Sequence, residues 1–246
     1  MLMPTAKRHD DRRPGDLRPV TITPHFVRQA DGSCLIELGH TRVICTASIV
    51  PGVPRWRMNR GLGWVTAEYG MLPASTGARK SRPTARPDGR STEIQRIIGR
   101  VLRSQVRFER LGENTIYLDC DVLDADGGTR TAAITGSHVA LSLAVAKGLD
   151  RGTFQARVLR GAVAAISVGI VAGRAILDLD YAEDAAAEVD MNVAMTARGK
   201  FVELQGTGEG QPFDAEQLDQ MLRLARRGIR KLLRAQRQAL VDGLTE

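Results

Sequence analysis

At 246 residues, with 43% hydrophobic and 26% charged, the chain has the composition of a soluble globular protein long enough to bury a real core. The longest apolar stretch, Gly161 to Gly173, is too short to cross a bilayer, and the polar Met1 to Arg18 segment carries no secretory signal. The formal charge of +7 is uneven: Arg55 to Arg90 holds eight Arg and Lys residues against Glu68 and Asp88, which points to a polyanion, nucleic acid first. Cys34, Cys45 and Cys120 lie in strand-like runs and read as buried thiols of a reducing compartment, so the expected location is cytoplasmic, with no membrane partner.

In chain order, Val20–Ile22, Ser33–Leu38 and Thr41–Val50 read as strands, the last two joined by a tight turn at Gly39-His40. Trp64–Glu68 is a further short strand. Residues 73–90, rich in Pro, Gly, Ser and Thr and carrying Arg79, Lys80, Arg82, Arg86 and Arg90, read as a basic mobile loop. From about Thr92 to Phe108, Ile94, Ile97, Ile98, Val101, Leu102 and Val106 fall on one face of a helix. Thr115–Leu123 alternates as a strand. Thr131–Leu149 is a helix apolar almost all round, hence deeply buried. Strands follow at Gly161–Val171, Ala175–Tyr181, Val189–Thr196 and Phe201–Gln205. A long helix from Asp214 to Leu240 closes the chain, with Arg residues on its outer face. No linker interrupts this order, which predicts one α+β domain of mixed α/β layers over residues 1–246.

Two stretches carry chemistry. Asp126-Gly127-Gly128-Thr129-Arg130 lies where a strand hands over to a helix. There, glycines permit close backbone approach, helix-start N–H groups point outward, and a guanidinium adds a forked charge: the parts of an anion cradle. A plain Gly-rich turn would look similar. Arg90 shifts the balance, because it too begins a helix and the two arginines could share one phosphate. The second stretch is acidic, with Asp178, Asp180, Glu183, Asp184, Glu188 and Asp190. Val189, Met191, Val193 and Met195 share one strand face, so Asp190 lies on the other with Asn192. Asp184, in the preceding loop, can fold back toward it. The pair can hold Mg²⁺ or Mn²⁺ or move a proton; a solvated acidic turn is the alternative. The four histidines show no ligand or triad spacing. Gly206-Thr207-Gly208-Glu209-Gly210 reads as a flexible connection lining the site.

Along almost its whole length the chain resembles the RNase PH family. The likeness is carried by Arg18-Pro19-Val20-Thr21, Cys45-Thr46-Ala47-Ser48-Ile49, Gly63 to Pro73, Glu93-Ile94-Gln95-Arg96, Leu118 to Arg130, Asp184 to Asn192, and Gln205 to Gly210. The resemblance implies the fold of that family, a homohexameric ring built as a trimer of dimers, and tRNA nucleotidyltransferase activity: inorganic phosphate removes 3′-terminal nucleotides from precursor tRNA and other RNA as nucleoside diphosphates, reversibly. By position it makes Arg90, Gly128, Thr129 and Arg130 the phosphate site, and Asp184 and Asp190 the catalytic and metal-associated carboxylates. It matches Arg79 and Arg82 to arginines that engage RNA and assemble the ring. A third such arginine falls at Ala74 here, and the segment between Arg82 and Arg90 is shorter than the family pattern.

The expected chemistry needs no protein nucleophile. Two anions must approach each other, so charge neutralisation dominates, supplied by Arg90, Arg130, helix-start N–H groups and Mg²⁺ or Mn²⁺. Asp184 would act as general acid or metal ligand, Asp190 as metal ligand. Two rivals stand: a non-catalytic RNA-binding ring subunit, which would be expected to lack some of these four residues, and a hydrolytic nuclease, which needs no second anion site.

Overall fold

The computed structural model describes residues 8–82 and 88–245. Its elements run β1 (Val20–Pro24), β2 (Gly32–Leu38), β3 (Thr41–Pro51), β4 (Trp64–Met71), α1 (Gly89–Arg103), β5 (Asn114–Asp124), α2 (Thr129–Asp150), β6 (Val163–Val171), β7 (Arg174–Leu177), α3 (Tyr181–Ala185), β8 (Val189–Thr196), β9 (Phe201–Gly208) and α4 (Ala215–Thr245). Both helices and strands are interleaved in layers, as the α+β expectation required.

The first sheet has the order β1-β2-β3-β5-β4. Its neighbours are antiparallel except β4 and β5, which run parallel because α1 supplies the crossover between them. The second sheet, β7-β6-β8-β9, is antiparallel throughout. α2 lies between the sheets, with β2 and β3 on one side and β6 on the other, which explains why it is apolar all round. By length and composition α2 is the one described helix suited to a bilayer, yet 78% of its most apolar window is buried inside the protein. α2 approaches the first sheet closely at Gly136, where a Cβ would come within 2.7 Å of Cys45 Sγ and 2.8 Å of Ile36 Cγ2. The three cysteines are buried and unpaired, cross-strand neighbours in register as Cys34 opposite Cys45 and Cys45 opposite Cys120. A second apolar core fills the space between the second sheet and α4, centred on Ile166, Val168, Leu177, Met191, Val193, Met221 and Ile229.

Several boundaries differ from the sequence expectations, each for a local reason. α1 starts at Gly89, inside the expected basic loop, because Asp88 caps it by accepting from Ser91 N–H at 2.6 Å; it stops at Arg103. Of that loop, residues 83–87, including Arg86, lie outside the described residues. Residues 73–82 form a turn tied by Lys80 N–H to Pro73 O at 2.8 Å and by Ala125 N–H to Ser75 O at 2.8 Å. The strand expected over Ala175–Tyr181 ends at Leu177. Asp178 turns the chain with a left-handed φ of 58°, and Asp180 then caps α3 in a reciprocal capping box with Glu183. Asp184 therefore sits on a short helix, not in a loop. Gly206, Thr207 and Gly208 belong to β9, opposite Met191, Asp190 and Val189, so that stretch is paired strand rather than a flexible connection.

Candidate active site

A cleft of about 510 Å³ opens where the two sheets meet the start of α2. Six pieces of chain wall it. Met71 and the turn carrying Arg79 and Lys80 form one side, and Arg90 enters from α1. Residues Gly127, Gly128, Thr129 and Arg130 form the floor. Ser167 on β6, Tyr181 and Asp184 on α3, and Asp190 and Asn192 on β8 complete it. All six residues expected at the phosphate and carboxylate positions line this one cleft. Arg79 joins them directly, whereas Arg82 is exposed outside it.

The floor is an open helix start. Gly128 occupies the N-cap position of α2 with φ 67° and ψ 19°, and among the described residues no side chain caps the first-turn N–H groups. The contrast with α1 is direct, since α1 is closed by its own Asp88. Of these two helices only α2 thus offers free backbone donors and its positive dipole end to an anion; Arg90 contributes its guanidinium alone. Glycine is required at 127, where φ is 70° and a Cβ would lie 2.5 Å from Leu179 O. Thr129 is oriented by Tyr69, whose hydroxyl meets Thr129 Oγ1 at 2.8 Å. Arg130 is aimed by Gln205: its Nη1 donates to Gln205 Oε1 at 2.7 Å, and Gln205 Nε2 donates to Glu93 Oε1 at 2.7 Å. That bridge ties the start of α2 to α1 just past its first turn, and both arginines line the cleft.

The carboxylates on the far wall differ in character from their neighbours in sequence. Burial raises the Asp184 carboxyl above its ordinary range, opposed by Arg90 and Arg130. Burial, with the Asp184 charge beside it, pushes Asp190 up to about 6; Arg130 and a 3.4 Å contact from Asn192 Nδ2 oppose the rise, and Glu209 adds to it. Asp190 Oδ1 is buried with no hydrogen-bond partner among the described residues, and so is Ser167 Oγ, which also faces the cleft. A buried carboxylate oxygen left unpaired is costly unless something occupies it. The donors here are hard oxygens on two adjacent acids, which fits Mg²⁺ or Mn²⁺ rather than a soft metal.

Asp178, Asp180 and Glu183 belong elsewhere. The acidic cluster that looked continuous in sequence is split, and these three face away from the cleft into a buried ionic clamp. Arg8 grips Glu183 through Nε at 2.6 Å and Nη2 at 2.5 Å. Arg12 reaches Asp178 O at 2.8 Å, Asp180 Oδ2 at 3.3 Å and Glu183 Oε2 at 3.4 Å. Arg18 forks onto Asp178 through Nε at 3.0 Å and Nη2 at 2.8 Å, and also donates to the backbone oxygen of Asp126. Arg18 is thus one tie between the Gly-rich floor and the turn that carries Asp184. His9, expected to be an ordinary histidine, pairs with Asp180 at 2.7 Å; the guanidinium groups of Arg8 and Arg12 already neutralise the acids beside it, which leaves no role for a metal there.

The chain matches the family of 3′ exoribonucleases in two successive parts, domain 1 over residues 16–147 and domain 2 over residues 161–228. It belongs to that family. Domain 1 brings the anion cradle and Arg90; domain 2 brings Asp184, Asp190 and Gln205. Solved structures of the same fold include rice (Oryza sativa) Rrp46, 19% identical over 95% of this chain and 100% of that one, with a TM-score of 0.78. The Archaeoglobus fulgidus exosome with RNA bound to the active site is 22% identical over 92% of this chain and 91% of that one, with a TM-score of 0.77. An archaeal exosome core is 22% identical over 94% and 91%, with a TM-score of 0.73.

Sequence reasoning missed Ser167 and Tyr181 as cleft residues, and Arg8, Arg12 and Arg18 as the clamp; Lys80 reads only as part of the basic loop. Arg18 carried a signal, lying in one of the segments that resemble the family. The others carried none, because only the folded chain brings β6, α3 and the N-terminal segment to one place.

Proposed function

We propose that this family member is a phosphorolytic 3′-to-5′ exoribonuclease, in which inorganic phosphate attacks the last phosphodiester of RNA and releases a nucleoside diphosphate. The observation that carries the reading is the pairing, in one cleft, of an open anion cradle with a separate pair of carboxylates left without ion-pair partners among the described residues. A hydrolase needs a place for one phosphate group; this cleft has cationic groups enough for two.

The residues divide the work as follows. The first-turn N–H groups of α2, the Thr129 hydroxyl and the Arg130 and Arg90 guanidinium groups hold the attacking phosphate and spread its charge. Arg79 and Lys80, on the opposite side, face the RNA backbone. Asp184 and Asp190 would hold Mg²⁺ or Mn²⁺, which when bound supplies positive charge to the phosphoryl oxygens. Where Asp190 holds the ion without it, Asp184, its proton affinity raised by burial, is instead suited to deliver a proton to the departing 3′ oxygen. Position and charge do the catalysis, and the reaction runs either way because the new diphosphate conserves most of the bond energy.

The substrate reading is 3′-extended precursor tRNA and other RNA ends, acted on by a homohexamer in the cytoplasm. Support comes from family membership, from the resemblance at Arg79 and Arg82, and from the fold shared with an exosome that has RNA bound to its active site. Substituting Arg130→Ala tests the cradle: phosphate KM should rise far more than RNA Kd. Equal losses in both would remove Arg130 from the phosphate site.

A further inference from the structure

Tyr181 is the first residue of α3, and at 67% it is the most exposed large hydrophobic side chain among the described residues. An exposed aromatic alone carries no message. Its place does, because among the described residues it is the single aromatic side chain lining the cleft that holds Arg90, Arg130, Asp184 and Asp190. The ring is mounted on a fixed support. Its own N–H donates to Asp126 Oδ1 at 3.2 Å, and the preceding Asp180 is held by the clamp. Asp184 follows three residues later on the same face of the helix, so ring and carboxylate face the cleft together. The Tyr181 hydroxyl makes no hydrogen bond among the described residues, so none of them explains its orientation.

An exonuclease that shortens RNA step by step has to grip each new 3′ nucleotide whatever its base. Hydrogen bonds to base edges discriminate, whereas stacking on an aromatic face is tolerant of sequence. The phosphate-gripping groups of the cleft leave the base itself without a partner. We propose that Tyr181 is a nucleobase platform, on which a base at the 3′ end of the RNA stacks while its phosphodiester lies between the arginines and the carboxylates. This rests on the reading of the cleft as the site of RNA phosphorolysis.

The test compares Tyr181→Phe and Tyr181→Leu with the unaltered chain on a short single-stranded RNA, and on copies made abasic at one 3′-proximal position at a time. Stacking contributes enough per base that Leu should raise RNA KM and equilibrium Kd about 5- to 100-fold, with Phe close to the parent and phosphate KM unmoved. At one position, removing the base should weaken the parent by the same factor and leave the Leu variant unaffected. Equal KM and Kd for parent and Leu variant would overturn the platform, as would a Leu effect that persists at every abasic position. If the parent releases no nucleoside diphosphate, the reading of the cleft fails, but the Kd comparison, made without phosphate, still decides whether a base stacks here.

Discussion

The cleft and the clamp behind it are made of the same residue types only a few positions apart, and they do opposite things. In the clamp, Arg8, Arg12 and Arg18 saturate Asp178, Asp180 and Glu183 with short, largely buried contacts. Across α3, Asp184 and Asp190 face Arg90 and Arg130 without closing an ion pair, and one carboxylate oxygen stays unpartnered. A saturated pair fixes geometry, since removing either partner strands a buried charge. An unsaturated set remains free to bind what the chain does not supply. The lesson is that the count of partners, not the charge itself, separates a structural from a functional acid here.

Breaking the unsaturated side should cost turnover and not structure. Asp184→Asn, Asp190→Asn and Arg130→Ala are each expected to lower phosphorolysis on the order of a hundred- to a thousandfold, with the folded chain and its assembly intact by light scattering. Arg90→Ala combined with Arg130→Ala should cost less than the sum of the two, because both hold one anion. Normal rates across a Mg²⁺ titration in the Asn variants would return the pair to a solvated turn.

Breaking the saturated side should cost stability first. Arg18→Met or Asp178→Asn is expected to destabilise by about 3–5 kcal/mol in urea unfolding, while the double change Arg18→Met with Asp178→Asn, which keeps a residue suited to the left-handed φ of 58° at that position, should cost less than the sum of the two. If the single changes left unfolding untouched, the clamp would be no clamp.

A smaller effect sharpens the contrast. Asp190 holds its proton to about pH 6 in the fold, above its unfolded value, so the stability it contributes is full below about pH 4 and lost as pH rises through about 6. In chelator, Asp190→Asn should therefore be more stable than the parent at pH 8, by about 3 kcal/mol, and equal to it below about pH 4. Mg²⁺ should raise the melting temperature of the parent and leave the variant unmoved. Identical melting curves at pH 8 would mean that the carboxylate is not strained.

The smallest expected effect separates the two loop arginines. Arg79 lines the cleft and Arg82 does not. Each reversal to Glu should flatten the salt dependence of RNA binding by about 0.7 in log–log slope for every single-strand phosphate that is no longer neutralised. Only Arg79→Glu should also raise RNA KM in turnover, with phosphate KM unmoved. The same effect on RNA KM from both would merge the loop into one site.

Much of this was legible in the chain. The period of Ile94, Ile97, Ile98, Val101 and Leu102 marks α1, and the Asp126–Arg130 stretch marks the anion cradle, because local chemistry dictates both. The split of the acidic cluster was not legible. Asp180, which caps α3, and Asp184, within it, part company through what lies across from each, and those partners, Arg12 and Arg90, are far away in sequence. Nor could spacing distinguish the open start of α2 from the start of α1, which Asp88 closes, since each shows a glycine beside an arginine. Gly206–Gly208 misled for a different reason: the glycines suggest a loop, but Gly206 serves to admit Met191, whose Cε would lie 2.9 Å from an added Cβ.

The most direct measurement supplies a short 3′-extended RNA and Mg²⁺, with and without inorganic phosphate, and identifies the released nucleotide. Two anions in one cleft predict nucleoside diphosphates only when phosphate is present, and RNA extension when diphosphate is in excess. Nucleoside monophosphates released at full rate in phosphate-free buffer would contradict the account.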